Sequence, residues 1–454
     1  MNITLNSREV AVNKGETLIE VARREGFSVP SLCYAASARH QSSCMVCAVK
    51  NCATGQIVPS CTTLPTEGMQ VDTESDEVRL ARTLSLELLL SDHRADCEAP
   101  CSVTCPAGFN PAAMNSLYDS EQYSEALELL RDSLVIPATL CYICNAPCEK
   151  ICRRGDLDHA VAIREVKKAL VAKTSVENVR RPAGNGVRVA VIGSNPAGLS
   201  AAYHLRKWGY EVTVLEKFSA ALAPYIPAEQ VPAETLSLEL AVLKAMGISF
   251  VFSANDPLSG EYSGVVAAVH DNPSPEWVTP TTKSKQPARL TLEGRRMAAQ
   301  LHATLLPDDE KNTAPLPEPK AFNSTYPRFS DSEKKRLAAQ QQARGNRSGC
   351  LYCDCDKKAD CKLRRYATEY GIKSSRYAKS SIFDALTRQQ AGQALWFEQA
   401  KCIKCGLCVY NSSNGFTFKD RGFAMQVMLP EESVGNVTAE LAELCPTGAL
   451  SKIR

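Results

Sequence analysis

The chain lacks any apolar run approaching the ~18 residues that span a bilayer, so no transmembrane helix and a soluble protein are expected. It also lacks a charge excess. Lysine and arginine number 52 against 50 aspartates and glutamates, which argues against a basic nucleic-acid binder or an acidic tail. The opening residues, Met1-Asn2-Ile3-Thr4-Leu5, form neither a basic n-region nor an apolar h-region. A secretory leader is therefore not expected, and the expected location is cytoplasmic. No Ser/His/Asp arrangement, no placeable pair of acids and no internal repeat is visible, which leaves no catalytic constellation to assign.

What is abundant is cysteine. The 454 residues contain 20 of them, in a chain whose length suggests about three domains and whose apolar content (44%) is ample for real cores. In an unexported protein such a number disfavours a disulfide framework and points to metal. The cysteines fall at 33, 44, 47, 52 and 61, then at 97, 101, 105, 141, 144, 148 and 152. After a long cysteine-free gap they resume at 350, 353, 355 and 361, then at 402, 405, 408 and 445. The gap marks a middle domain between two metal-rich ends. Linkers show as composition shifts at Asn178 to Gly186 and at Pro307 to Pro319.

In the first module, Ile3, Leu5, Val10 and Val12 alternate with polar residues across a turn, which predicts a hairpin. Gly15-Glu16-Thr17 opens an amphipathic helix with Leu18, Val21 and Ala22 on one face. Cys33, Cys44, Cys47 and Cys61 then follow in the spacing C-x10-C-x2-C-x13-C. Four thiolates, with a close pair in a loop, suit a 2Fe–2S cluster, in which each iron takes two protein sulfurs. Zinc is the competing chemistry, and the long first gap argues against it. The stretch resembles the 2Fe–2S domain that begins the large peripheral subunit of respiratory complex I and many iron-only hydrogenases. Cys52 lies outside the pattern and is expected to be a packed thiol.

The second module reads SDHRADCEAPCSVTCPAGFN, then a helix carrying Tyr123, Ala126, Leu127 and Leu130, then LCYICNAPCEKICRR. It resembles the double-cluster domain of the glutamate synthase small subunit and of dihydropyrimidine dehydrogenase. The resemblance implies two 4Fe–4S clusters with exchanged ligands, one on Cys97, Cys101 and Cys152 and the other on Cys105, Cys144 and Cys148. Both fourth ligands depart from the family. His93-x3-Cys97 resembles the His-ligated cluster entry of complex I and hydrogenases, so His93 is expected to complete the first set; a capping or surface histidine is the plainer alternative. The acid or amide of relatives is Lys167 here, which cannot ligate iron when protonated, so Cys141 is expected to complete the second.

In the middle domain, the buried-strand run Val187 to Ile192 leads into Gly193-Ser194-Asn195-Pro196-Ala197-Gly198, a helical run Leu199 to Trp208, and a strand Val212 to Leu215 ending at Glu216. That is a βαβ start with an acid in the ribose-binding place, which makes Gly193, Gly198 and Glu216 the candidate dinucleotide contacts. It resembles the FAD domain of the glutamate synthase small subunit. The central glycine, however, is Asn195, the glycine-rich turn reads Ala220 to Ala223, and the alanine-threonine-glycine signature reads Ala268-Val269-His270. The NADPH fingerprint is missing, and Leu292 to Arg296 looks like the terminal FAD-domain helix rejoined after a deletion. A retained fold with eroded chemistry is expected, with FAD absent or substoichiometric.

At the far end, Cys350, Cys353, Cys355 and Cys361 are spaced C-x2-C-x-C-x5-C, a set that suits either a 4Fe–4S cluster or a structural zinc. Its resemblance to glutamate-synthase-like iron–sulfur oxidoreductases favours iron. Cys402, Cys405 and Cys408 with the remote Cys445-Pro446 resemble a bacterial ferredoxin, and Ser412 stands where a two-cluster ferredoxin has another cysteine.

The expected architecture is multidomain, α+β and α/β. It comprises a β-grasp 2Fe–2S domain (1–80), a helical double 4Fe–4S domain (85–175), a degenerate Rossmann-like FAD domain (187–340) and a C-terminal ferredoxin-like region with two clusters (345–454). The resemblances imply an electron-transfer subunit with one 2Fe–2S and four 4Fe–4S clusters. Its expected partners are an NADH-oxidising flavoprotein subunit of the complex I type and a terminal redox subunit such as a hydrogenase or formate dehydrogenase. The alternative is a self-contained FAD-dependent NAD(P)H oxidoreductase of the glutamate synthase small-subunit type.

Overall fold

The computed structural model describes all residues except 94–96, 223–224, 227, 255–261, 270–273, 307–328, 373–376, 378–385, 387 and 454. The sequence-based readings at Ala223, His270 and the Pro307 to Pro319 linker lie outside the described residues. The described residues fall into two compact units, one within Met1–Glu98 and Cys353–Arg454, the other within Ala99–Leu316 and Arg328–Tyr352.

The first unit begins with the predicted hairpin, β1 (Asn2–Leu5) antiparallel to β2 (Arg8–Ala11). Asn6 and Ser7 at its turn both adopt positive φ, the backbone hand that matches strand twist in a two-residue turn. Helix α1 (Leu18–Arg24) starts at a capping box between Thr17 and Glu20 and buries Leu18, Ile19, Val21 and Ala22. Strands β3 (Ala48–Asn51), β4 (Ile57–Pro59) and β5 (Gln70–Asp72) complete a five-stranded sheet of order β2-β1-β5-β3-β4, with β5 parallel to β1. Helix α2 (Asp76–Asp92) follows and packs on β3.

The second unit opens with six helices: α3 (Pro100–Val103), α4 (Pro111–Asp119), α5 (Tyr123–Leu134), α6 (Pro137–Ile143), α7 (Pro147–Lys150) and α8 (Ile163–Ala172). The helix expected around Tyr123 is present and buries Ala126, Leu127 and Leu130. Then come β6 (Arg188–Ile192), α9 (Pro196–Lys207), β7 (Glu211–Glu216), α10 (Ala233–Ala245), β8 (Ser249–Phe252), β9 (Gly264–Ala267), α11 (Pro287–Leu305) and α12 (Asp331–Arg344). The four strands form a parallel sheet of order β8-β7-β6-β9. Two glycines make this fold possible. A Cβ on Gly198 would meet the Gly193 carbonyl oxygen at 1.9 Å, and one on Gly294 would meet that of Ala197 at 2.0 Å, so α9 packs tightly on both the strand-to-helix turn and α11.

The remaining elements belong to the first unit: α13 (Lys362–Glu369), β10 (Gln389–Ala391), β11 (Leu395–Phe397), α14 (Leu407–Tyr410), β12 (Thr417–Lys419), β13 (Gln426–Met428), α15 (Leu441–Leu444) and β14 (Leu450–Lys452). They make a β10-β11-β14 sheet and a β12-β13 hairpin, while α13 packs on α2. Among the described residues no helix is long and apolar enough to cross a membrane.

Candidate metal centres

In the N-terminal domain, Cys33, Cys44, Cys47 and Cys61 are all buried, on the loop before β3 and the turn after β4. Their thiols hydrogen-bond one another. Bonds from Cys44 and Cys61 hold the Cys33 thiol far below its ordinary value, and Cys61 holds that of Cys47 down to about 6. The two donors are pushed up in turn. A pocket that gathers four sulfurs and already favours shared negative charge has the donor chemistry of a cation site. Cys52 is exposed rather than packed, a correction to the expectation. It directly follows β3.

In the C-terminal region, Cys402, Cys405, Cys408 and Cys445 line one small cavity with Phe397, Ile403, Leu407, Val427 and Leu450. Burial pushes the Cys405 and Cys408 thiols well up and that of Cys402 to about 12, so ionising them needs a compensating cation. Thr447 Oγ1 donates to the Lys401 carbonyl at 2.8 Å and so ties the remote Cys445 segment to the close triplet. Ser412 caps a turn, donating to the Cys408 carbonyl (2.7 Å) and accepting from Phe416 N–H (2.9 Å). This module meets the N-terminal one directly. Arg39 N–H donates to Asn411 Oδ1 (2.9 Å), and Asn411 Nδ2 returns the bond to the Arg39 carbonyl (2.7 Å). Cys33, Cys44 and Cys361 lie in one apolar cluster, against which Cys405 packs.

In the second unit, Cys105, Cys141, Cys144 and Cys148 line a cavity of about 150 Å³. Burial raises the Cys141 thiol to about 12 and that of Cys148 to about 11, while Lys167 opposes both shifts. Lys167 is buried, borders the same cavity and lies 4.6 Å from the Phe109 ring centroid. Sequence reasoning missed the residue that positions this loop. Glu239 of α10 is buried and accepts from Ala138 N–H (2.8 Å) and Thr139 N–H (2.9 Å), the first-turn amides of the helix that carries Cys141. No sequence pattern announces a cap supplied from about 100 residues away.

His93 is buried at the end of α2, and Cys97 is buried four residues on. Cys101 and Cys152 are half-buried against the core of the second unit, where Cys350 is buried. Cys353, Cys355 and Cys361 are buried in the first unit. Among the described residues, no three histidine, cysteine or acidic side chains are drawn together as a single-ion chelate.

Of the candidate dinucleotide contacts, the Gly198 amide and the Glu216 carboxyl group are taken up by neighbouring residues of the protein. Glu216 accepts from Ser194 N–H (2.7 Å), Ser194 Oγ (2.6 Å) and Phe218 N–H (3.1 Å), and is wholly buried. Asn195 Oδ1 accepts from Gly198 N–H at 2.9 Å, taking the helix-start amide a diphosphate would use. Its Nδ2 donates to the Ala268 carbonyl at 2.6 Å. These residues do not fit a bound FAD or NAD(P).

Comparison with known proteins finds four family models along the chain. The family model for a 2Fe–2S iron–sulfur cluster binding domain matches residues 1–76, and that for the dihydropyrimidine dehydrogenase domain II 4Fe–4S cluster matches 87–179. A 4Fe–4S single cluster domain matches 395–451, and an NAD(P)-binding Rossmann-like domain matches 191–221. The chain is 34% identical to the NADP(+)-dependent formate dehydrogenase subunit beta of Moorella thermoacetica, over 37% of this chain and 29% of that protein. It is 28% identical to the NADPH-Fe(3+) oxidoreductase subunit beta of Geobacter sulfurreducens (strain DL-1 / KN400), over 34% of this chain and 24% of that one. The matched part is thus less than a third of either relative's length. An NAD+-reducing NiFe-hydrogenase in the H2-reduced state aligns over 99% of this chain and 86% of its own at 12% identity and a TM-score of 0.37, too weak a likeness to carry an argument. The chain thus carries iron–sulfur cluster-binding domains at residues 1–76, 87–179 and 395–451, and part of it is similar to subunits of oxidoreductases.

Proposed function

We propose that the chain is an electron-relay subunit that takes electrons from an NADH-oxidising flavoprotein and delivers them to a terminal redox enzyme of the hydrogenase or formate dehydrogenase kind. The observation that carries this reading is the docking of the first cysteine group on the last, through the reciprocal Arg39–Asn411 bonds and the apolar cluster shared by Cys33, Cys44 and Cys361, against which Cys405 packs. Iron–sulfur clusters, when bound, accept and release single electrons without bond rearrangement. The chain's own residues would hold them apart from water and close to one another.

Cys33, Cys44, Cys47 and Cys61 would hold the 2Fe–2S cluster. Cys402, Cys405, Cys408 and Cys445 would hold one 4Fe–4S cluster, and Cys105, Cys141, Cys144 and Cys148 another. The residues His93, Cys97, Cys101, Cys152, Cys350, Cys353, Cys355 and Cys361 would hold two more. The Rossmann-like domain has a scaffolding part: Glu239 of α10 fixes the helix bearing Cys141. With Ser194, Asn195 and Glu216 bonded to the protein itself, we assign it no flavin and route no step through one.

The test is anaerobic purification followed by metal analysis and low-temperature paramagnetic spectroscopy. About 18 iron atoms per chain are expected, two from the 2Fe–2S cluster and four from each of the others. Fewer than about ten would end the relay reading.

A further inference from the structure

The spacing C-x2-C-x-C-x5-C suggests that Cys350, Cys353, Cys355 and Cys361 wrap one metal centre. The motif spans the boundary between the two compact units. The boundary between the two compact units falls between Tyr352 and Cys353, and the cysteines on its two sides are anchored in different surroundings.

Cys350 belongs to the helical unit. Its carbonyl accepts from Gln341 Nε2 (3.1 Å) and Asn346 Nδ2 (3.0 Å), and its thiol bonds to the Asn115 side chain of α4. The preceding Ser348 N–H donates to Asp119 Oδ1 at 2.7 Å. Arg154, two residues after Cys152, donates to the carbonyl of Gly349, one residue before Cys350. The approach is close: a Cβ on Gly349 would run into the Arg154 guanidinium. Cys152 lies near the Cys350 thiol. Cys101, on a helix packed against α7 and α4, borders the same core.

Cys355 and Cys361 face a different neighbour. Cys355 N–H donates to the Cys97 carbonyl at 3.2 Å, and Arg364 Nη2 binds Glu98 at 2.9 Å while its Nη1 donates to the Lys358 carbonyl at 3.1 Å. Segment 97–98 is thereby clamped against segment 355–364. Cys361 is the N-cap of α13. Cys355 and Cys97 lie near the Cys361 thiol.

Resting on the iron–sulfur reading above, we infer that the motif is split between two 4Fe–4S clusters, Cys350 joining Cys101 and Cys152 in one, and Cys355 and Cys361 joining Cys97 in the other. The total iron is unchanged, but the partnerships differ from those the spacing and the family resemblance imply. In that reading Cys97 and Cys152 share a cluster, and Cys350 and Cys361 share another.

Paired alanine variants, loaded and purified anaerobically, separate the two arrangements by iron content. Relative to wild type, Cys152→Ala/Cys350→Ala should lose about four irons, and so should Cys97→Ala/Cys361→Ala. Cys350→Ala/Cys361→Ala should lose about eight. The spacing-based arrangement reverses these values, and that reversal would overturn the inference. Should a double variant misfold, the single variants decide by paramagnetic spectroscopy. Cys152→Ala and Cys350→Ala must then abolish the same 4Fe–4S signal, and Cys350→Ala and Cys361→Ala different ones; any other pairing overturns the inference. A zinc ion bound per chain and lost in Cys350→Ala would overturn it too. Cys52→Ala is the control, expected to leave every signal in place. A wild-type chain with little iron would instead defeat the relay reading itself, a result distinct from any of these.

Discussion

Replacing Glu216 asks whether the Rossmann-like crevice serves a ligand or the protein. The side chain is 1% exposed and accepts three hydrogen bonds, two of them from Ser194. Ser194 Oγ in turn accepts from Leu222 N–H at 3.1 Å, so the carboxyl group is the hub of a closed buried network. Glu216→Ala would leave three donors without an acceptor, in a place water does not reach. Each orphaned buried donor costs roughly 1–3 kcal/mol. Allowing for relaxation, the variant should lose on the order of 4 kcal/mol. Glu216→Gln keeps one acceptor oxygen and should lose about 1–2 kcal/mol. For a unit of this size 1 kcal/mol moves the melting temperature by about 2–4 °C, so the alanine variant should melt roughly 8–16 °C lower.

The assay is thermal unfolding by circular dichroism, with and without excess FAD or NADH. Wild type should not be stabilised by either, because a ligand that binds only the native state must raise its stability. If Glu216 instead held a ribose, the outcome would invert. The ligand-free alanine variant would melt within about 2 °C of wild type, and dinucleotide would stabilise wild type alone. That pair of results would refute the self-occluded crevice.

Four further outcomes follow from the same structure. Cys44→Ser should eliminate the 2Fe–2S signal alone, and in the complex NADH-driven reduction of the other centres should slow greatly while a small chemical reductant still reduces them; full-rate NADH-driven reduction would place electron entry elsewhere. Lys401 is buried, pairs with Glu398 at 2.7 Å and lies beside Cys355, so Lys401→Met should lower that centre's midpoint potential by on the order of 50–100 mV in a redox titration, whereas a role confined to packing would leave it in place. Burial lowers His204 from its ordinary 6.5 to about 4, so its contribution is complete above pH 6.5 and is lost as pH falls toward 4; about 1.4 kcal/mol should be gone by pH 5.5, and melts of His204→Gln should show a flatter pH dependence than wild type. Glu239→Gln should lower cluster occupancy at Cys105, Cys141, Cys144 and Cys148 without changing the 2Fe–2S signal, as read by iron content and spectroscopy.

What the sequence announced and what it concealed differ in range. The hairpin at Ile3 to Val12, the helix after Thr17 and the strand-turn-helix at Gly193 are written in short periodicities and local turn chemistry, which act over a few residues. The ferredoxin-like triplet Cys402, Cys405 and Cys408 is legible for the same reason, since close spacing on one short segment brings the three to one cavity. Position 195 shows where that legibility ends. The sequence marks a lost glycine, but only the fold shows that the asparagine caps the helix itself and reaches the Ala268 carbonyl, 73 residues away. Cys350 to Cys361 is the sharper case. Four cysteines in twelve residues read as one site when spacing is the only measure of distance. The fold sets a unit boundary inside the motif, with Asp119 and Arg154 anchoring one side and Cys97 and Glu98 the other. Those anchors lie some 200 or more residues away along the chain, and no local pattern encodes a partner chosen by tertiary packing. Cysteine spacing therefore reports which ligands a segment offers, while the arginine and carboxyl clamps around it decide which centre receives each one.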